Sequence, residues 1–439
     1  MRSLLHTSQL AAVTATALLI AGCGGSGDTA PQETKRASTQ TSGQSKPKPA
    51  ATKAPSDSEQ LNRLLADRAA ALRDGDSAGF LKTSTGSQAK KDERAIANAK
   101  ALPISDVRLT AEGTEVDGNR GTLRVNMVYR FDEIDTFYVK TSRMTVKKTE
   151  GGWRVSRDRP SAGMLAPWEH TRYKARTSKH FLALAPASMK VGSLMTDLEK
   201  GRSRMKQGLK GVKVPGKVLV IVNRNSNDTR ALTKDLKTLS ALVAIAESQV
   251  FTEGSAKRVT DVAGQRVFVL WRSYGKDSRS GRRQTIAHEL VHIALANRTG
   301  GRVPDWLVEG IAMYASGDKR AGDAGALLSG AQLKDSSKQA PAKAALSLSR
   351  LSKPDILHKM SSIPLTFAYS YSSAAAYTIA DKYGGAKTLL KLYSAYNSEK
   401  IKGRPGKALT NKVFRKVLKR SIGQVEADID AYARTQSPF

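Results

Sequence analysis

Two histidines flank a glutamate in "TIAHELVHIA", Thr285 to Ala294, in a chain with only six histidines among 439 residues. His288 and His292 stand at i and i+4, so on a helix their rings lie on one face about one turn apart. Two imidazoles so placed can share one metal ion. Glu289 is rotated roughly 100° around the axis from His288 and reaches the side of such a metal where a water would sit. Thr285, Ile286, Ala287, Leu290, Val291, Ile293 and Ala294 are uncharged, with no proline among them. That predicts a continuous helix from about Arg283 to Asn297, with its other face buried.

A catalytic zinc needs a third protein ligand and one open position. "IALANRTGG" lacks the Gly and His that the extended metzincin pattern requires, which excludes that branch. "PDWLVEGIAMYASG" reads as the next helix, with Asp305 placed to cap its N-terminus and Gly317 past its end. Glu309 lies on it, seventeen positions after His292, beside Leu307, Val308, Ile311 and Ala312. A buried carboxylate without a partner is costly, and ligation to a metal removes the objection.

"HELVH" followed by "W-L-x-E-G-x-A-x-Y" resembles the gluzincins, and within them the peptidase MA-like family. The resemblance implies that His288, His292 and Glu309 hold one zinc ion, with Glu289 as general base for peptide-bond hydrolysis. It spans roughly residues 165–435, and only 285–316 carries specific residues. "FAYSYSSAAAYTIADKYG" is similar to the family's helix after the metal site. That implies Tyr369 first, and Tyr371 second, as the residue completing the oxyanion site. His170, His180 and His358 are isolated and receive no role.

The elements that must position these residues begin near residue 163. "KHFLALAP" reads as a strand, "VGSLMTDLEKGRSRMKQGL" as a helix and "KVLVIVN" as a buried strand. "TRALTKDLKTLSALVAIA", Thr229 to Ala246, reads as a helix and "RVFVLWR" as a strand, either central or at the edge where an extended peptide would pair. A loop of Gly, Ala, Lys and Ser is expected from 317 to about 343, and helices beyond it. The segment "KIKGRPGKALTNKVFRKVLKR" holds nine Lys or Arg and no acid. Val413, Phe414, Val417, Leu418 and Ile422 give it an apolar face, so it should pack on the core with a cationic outer face.

Residues 57–162 form a separate pattern. "SEQLNRLLADRAAALRDGD" carries Leu61, Leu64, Leu65, Arg68 and Leu72 at helical spacing, and "AKKDERAIANAKAL" is a further helix. Four alternating segments follow, "DVRLTA", "TLRVNMVYR", "TFYVKTSRMTVKK" and "GWRVSR". Helices followed by four strands resemble the nuclear-transport-factor-two-like cone fold, with Trp153 and Tyr129 as core. The fold class is therefore α+β. A cone-like helix-plus-curved-sheet domain precedes a gluzincin-like metallopeptidase domain, residues 163–439, whose C-terminal part is mainly helical.

The N-terminus places the chain. Arg2 precedes the apolar run Leu10–Ala21, which is of signal-peptide length and too short for a comfortable transmembrane helix. "IAGC" resembles the lipobox of bacterial lipoproteins, which implies cleavage after residue 22 and a diacylglycerol on Cys23. Cys23 is the only cysteine, so no intramolecular disulfide forms. Residues 23–56, rich in Gly, Ser, Thr, Pro and Lys, read as a disordered tether. The formal charge of +33 predicts attraction to polyanions. Export excludes nucleic acid as the partner and points to anionic envelope polymers or lipid head groups. The expectation is a lipid-anchored zinc metallopeptidase on the outer face of the cell membrane, acting on a peptide or protein. Two rivals fit the same residues: an envelope scaffold with a non-catalytic zinc, and a zinc amidase acting on cell-wall peptides.

Overall fold

The computed structural model describes residues 55–233, 243–253, 258–328, 347–353, 356–357, 360, 362–398 and 400–436. Cys23, the expected signal segment, the expected tether up to residue 54 and His358 lie outside them, whereas Ser56, the last residue assigned to the tether, caps the first helix. No helix among the described residues is long and apolar enough to cross a membrane.

The chain opens with three helices, α1 (Asp57–Asp74), α2 (Ser77–Lys82) and α3 (Ser87–Ala99). Ser56 and Glu59 form a reciprocal capping box at the start of α1, and Gly75 ends it at φ 67°, a conformation that favours glycine. Strands β1 (Ile104–Asp117), β2 (Arg120–Phe131), β3 (Tyr138–Thr149) and β4 (Gly152–Pro160) then pair antiparallel in chain order. Alternation divides their side chains between two faces. Leu123, Val125, Met144, Val146, Trp153 and Val155 close on Leu61, Leu64 and Leu65 of α1. Arg68, at an otherwise apolar position of α1, is buried with both amino groups on Asp92, at 2.7 and 2.8 Å. The pair satisfies two charges that would each be costly alone.

After α4 (Pro167–His170), a second sheet runs in the order β5 (Tyr173–Thr177), β6 (Phe181–Pro186), β7 (Val218–Asn223), β9 (Arg258–Leu270), β8 (Ala244–Glu253). β6, β7 and β9 are parallel, with antiparallel β5 and β8 at the two edges. α5 (Leu194–Gly208) crosses from β6 to β7, and α6 (Ser226–Leu232) follows β7.

Both faces of the central strands are covered. Phe181, Ala183, Val218, Val220, Val222, Val267 and Val269 face the helical core. The alternate residues Leu182, Leu184, Leu219, Ile221 and Phe268 pack with Tyr129, Phe131, Tyr138 and Trp168. Thus the first sheet and α4 cover the side of the second sheet opposite the helices. The junction is also hydrogen-bonded: the Tyr138 hydroxyl donates to the Gln265 carbonyl at 3.1 Å, and Gly264 N–H donates to Thr136 Oγ1 at 2.8 Å.

The remaining elements are helical: α7 (Trp271–Tyr274), α8 (Arg279–Leu295), α9 (Asp305–Ser316), α10 (Ala321–Leu328), α11 (Leu348–Leu351), α12 (Ser362–Tyr383), α13 (Gly385–Tyr396), α14 (Lys407–Val417) and α15 (Ile422–Thr435). The molecule is thus mixed α+β, with an N-terminal sheet domain and a helical C-terminal part.

Three sequence expectations are corrected, and one left open is decided. The helix expected over Thr229–Ala246 ends at Leu232, and Ala244 begins strand β8, which the sequence reading lacked. A short apolar run satisfies a buried strand as well as a helix, and pairing with β9 decides it. The strand "RVFVLW" is central, because β8 takes the edge. The loop expected from 317 holds helix α10, and Asp305 is the first residue of α9 rather than its cap, which is Pro304.

Candidate metal centre

Helix α8 carries the motif deep in the core: every residue from Thr285 to Leu295 is buried. His288 and His292 point to one side with ring centroids 4.9 Å apart, the separation one helical turn dictates. α9 brings Glu309 opposite them. Its Oε2 lies 3.2 Å from His288 Nε2 and 3.8 Å from His292 Nε2. One donor atom from each residue falls within 4.8 Å of the others, so the buried trio could hold a metal ion.

Two close helix approaches set this geometry. A Cβ on Gly310, next to Glu309, would meet the Ser372 carbonyl oxygen at 2.6 Å, so α9 and α12 touch backbone to backbone. A Cβ on Gly201 of α5 would meet Ile286 Cβ at 2.7 Å, two residues before His288. A larger residue at position 310 would push α9 away from α12, and one at position 201 would push α8 away from α5.

The donor set fits a metal on its own chemistry. Burial drives the His292 pKa down to about 4; Glu309 pulls it upward and His288 downward, and neither reverses the effect of burial. The ring is therefore neutral at pH 7, as a ligand must be. Its Nε2 is buried without a hydrogen-bond partner, only 3.8 Å from the Glu309 carboxylate. A buried polar nitrogen in that state is costly, and a shared cation would satisfy it together with the carboxylate.

Glu289 is held by a backbone group of the second sheet. The backbone N–H of Ala246, on edge strand β8, donates to Glu289 Oε2 at 2.7 Å. A cleft of about 100 Å³ opens beside it, lined by Gln284, Thr285, His288, Glu289, Asp318 and Arg320 among others. Arg320 Nε pairs with Asp318 Oδ2 at 2.7 Å. This wall is pinned to α12: Ser373 Oγ donates to the Asp318 carbonyl at 3.0 Å and accepts from Arg320 N–H at 3.2 Å, and Ser370 Oγ donates to the Arg320 carbonyl.

The two tyrosines of α12 part company. Tyr371 donates its hydroxyl to Asp430 of α15 at 2.9 Å, away from the trio. Tyr369, about 200° around the helix, is buried and faces the site. Burial raises its pKa well above 10, and the Glu309, Asp305 and Glu289 carboxylates raise it further, with Arg320 opposing. Its phenol therefore keeps its proton at neutral pH and is available as a hydrogen-bond donor.

The structure thus gathers His288, Glu289, His292, Glu309 and Tyr369 into one region. It adds Ala246, Asp318 and Arg320, which the sequence reading missed. Ala246 contributes a backbone group and so leaves no mark in residue type. His170 and His180 lie elsewhere, against Asp228 at 3.5 Å and Glu199 at 2.8 Å.

No family model and no curated protein matches the chain. Among solved structures, a protein of unknown function from Mycobacterium tuberculosis shares 18% identity over 24% of this chain and 71% of its own, with a TM-score of 0.20. A SEC-C motif containing protein from Rhodopseudomonas palustris shares 18% over 24% of this chain and 88% of its own, with a TM-score of 0.19. At such scores the likeness carries no argument about fold or function.

Proposed function

We propose that this chain is a zinc-dependent metallopeptidase of gluzincin type, peptidase MA-like, preceded by a nuclear-transport-factor-two-like domain and anchored outside the cell membrane by lipid on Cys23. The observation that carries the enzymatic reading is the buried His288–His292–Glu309 trio, with a His292 nitrogen that lacks a hydrogen bond, beside a Glu289 that accepts from the Ala246 N–H. A bound zinc would supply a Lewis acid for a peptide carbonyl and would acidify water.

The side chains divide the remaining work. His288, His292 and Glu309 hold the ion. The Ala246 N–H fixes Glu289 Oε2, so the carboxylate is oriented rather than free to swing into the ligand set. Glu289 takes a proton from the attacking water and passes it to the leaving amine. Tyr369 donates its O–H toward the carbonyl oxygen as negative charge develops there.

Glu289→Gln tests the reading. It keeps size and can still bond one neighbour but cannot take the proton. The variant should fold and retain zinc while cleavage of a peptide library falls about a hundredfold or more. Zinc-loaded wild type and variant equally inert on every peptide would favour the scaffold with a non-catalytic metal. Mass spectrometry of the mature N-terminus tests the lipid: an unmodified Cys23 would refute it.

A further inference from the structure

The basic segment noted in the sequence is not absorbed by the metal centre, and its placement is specific. All nine of its Lys and Arg residues, from Lys400 to Arg420, are exposed. On α14 the buried residues Leu409, Thr410, Val413 and Phe414 form one face, and Lys407, Lys412, Arg415 and Lys416 form the other. None of the nine forms an ion pair among the described residues. The acids of the neighbouring α15 are engaged elsewhere: Glu426 with Ser349, Asp428 with Lys382 and Tyr383, and Asp430 with Tyr371. The result is a cationic surface, with only Arg420 in the field of an α15 carboxylate, Asp428, and its apolar residues are turned into the core, with Phe414 packed on Trp306.

We infer that this surface docks the folded protein onto an anionic phospholipid bilayer by charge alone. Its apolar residues are already buried, so the helix cannot insert as a free amphipathic helix would. It meets the head groups and goes no deeper. A bilayer is favoured over a soluble polyanion by the chain that precedes Pro55: the apolar run Leu10–Ala21 sits beyond a polar tether. Extended, that tether spans on the order of 100 Å, enough for the helical half to reach a membrane holding the N-terminus. Docking would turn one fixed side of the molecule to the membrane, where an N-terminal anchor alone would leave it free to tumble.

The test uses the full chain with Cys23→Ala, so that lipid does not contribute, and vesicles of phosphatidylglycerol with phosphatidylcholine against phosphatidylcholine alone. Lys407, Lys412, Arg415 and Lys416 are changed together to Gln. A control changes Lys82, Lys90, Lys91 and Arg94, exposed cations of the first domain, in the same way. Binding to the anionic vesicles should fall about a hundredfold or more in the α14 variant, and much less in the control, with melting curves unchanged. Equal losses in both variants would mean that net charge alone is responsible and would overturn the proposal. So would vesicle binding that survives the α14 changes while binding of soluble polyphosphate is lost.

Discussion

Gly310→Ala should weaken both the fold and the metal centre through one methyl group. The new Cβ would stand 2.6 Å from the Ser372 carbonyl oxygen and 3.2 Å from Ala376 Cβ, where ordinary contact begins at 3.4 Å. α9 and α12 must therefore separate by about 0.8 Å at that point, and Ser372 cannot yield alone because the atom in the way is backbone. Overpacking of this kind costs about 1–3 kcal/mol, offset by up to about 1 kcal/mol from the better helix propensity of alanine. The net loss of up to about 2 kcal/mol should lower the melting temperature by about 1–4 °C. Glu309 is the adjacent residue, and metal distances tolerate only about 0.2 Å, so zinc affinity measured by chelator competition should fall tenfold or more. Gly423→Ala, in α15 with nothing within 4 Å of the new atom, is the matched control and should be neutral or slightly stabilising. If Gly310→Ala melts with wild type and holds zinc as tightly, the close approach does not set the site.

Three further outcomes follow from the same geometry. Glu309→Ala should lose most bound zinc, measured by metal analysis, since two histidines alone leave the ligand set one short; stoichiometric zinc in the variant would move the third ligand elsewhere. Tyr369→Phe should lower kcat about a hundredfold with little change in KM, whereas Tyr371→Phe should spare kcat and cost about 1 kcal/mol of stability through Asp430; the reverse pattern would exchange their roles. In metal-free protein, His292 takes up a proton below about pH 6.5 when unfolded but only near pH 4 when folded. Stability should therefore fall with pH across that window, and a flat dependence in denaturant melts would contradict the buried, neutral ring.

The His288–His292–Glu309 trio was legible because its signals are local. His288 and His292 declare themselves by helical spacing, and Glu309 by its place in an apolar helix close downstream. Strand β8 was hidden because "ALVAIAESQVF" suits a helix or a buried strand, and only the partner β9 selects between them. The wall made by Asp318 and Arg320 was hidden for a related reason. Its shape comes from Ser370 and Ser373, about fifty residues away, and nothing in a stretch of Gly, Ala and Lys announces that contact. Arg68 stood out as a charge on an apolar stripe, yet its partner Asp92, 24 residues on, has no pattern to mark it.

The packing of Tyr129, Phe131, Tyr138 and Trp168 against Leu182, Leu184, Leu219, Ile221 and Phe268 bears on how the chain matures. Synthesis delivers the first sheet before β6, β7 and β9 exist, and domains generally fold in the order they emerge. The aromatic surface is then already standing when the parallel strands arrive, and parallel pairing is the slow, aggregation-exposed step. The first domain would act as a template for that step and, once it has closed, could not be clipped away without uncovering five large apolar side chains. A protease cut between Pro160 and Ala166 would thus leave the two halves bound to each other, with α8 and α9 still supported from behind.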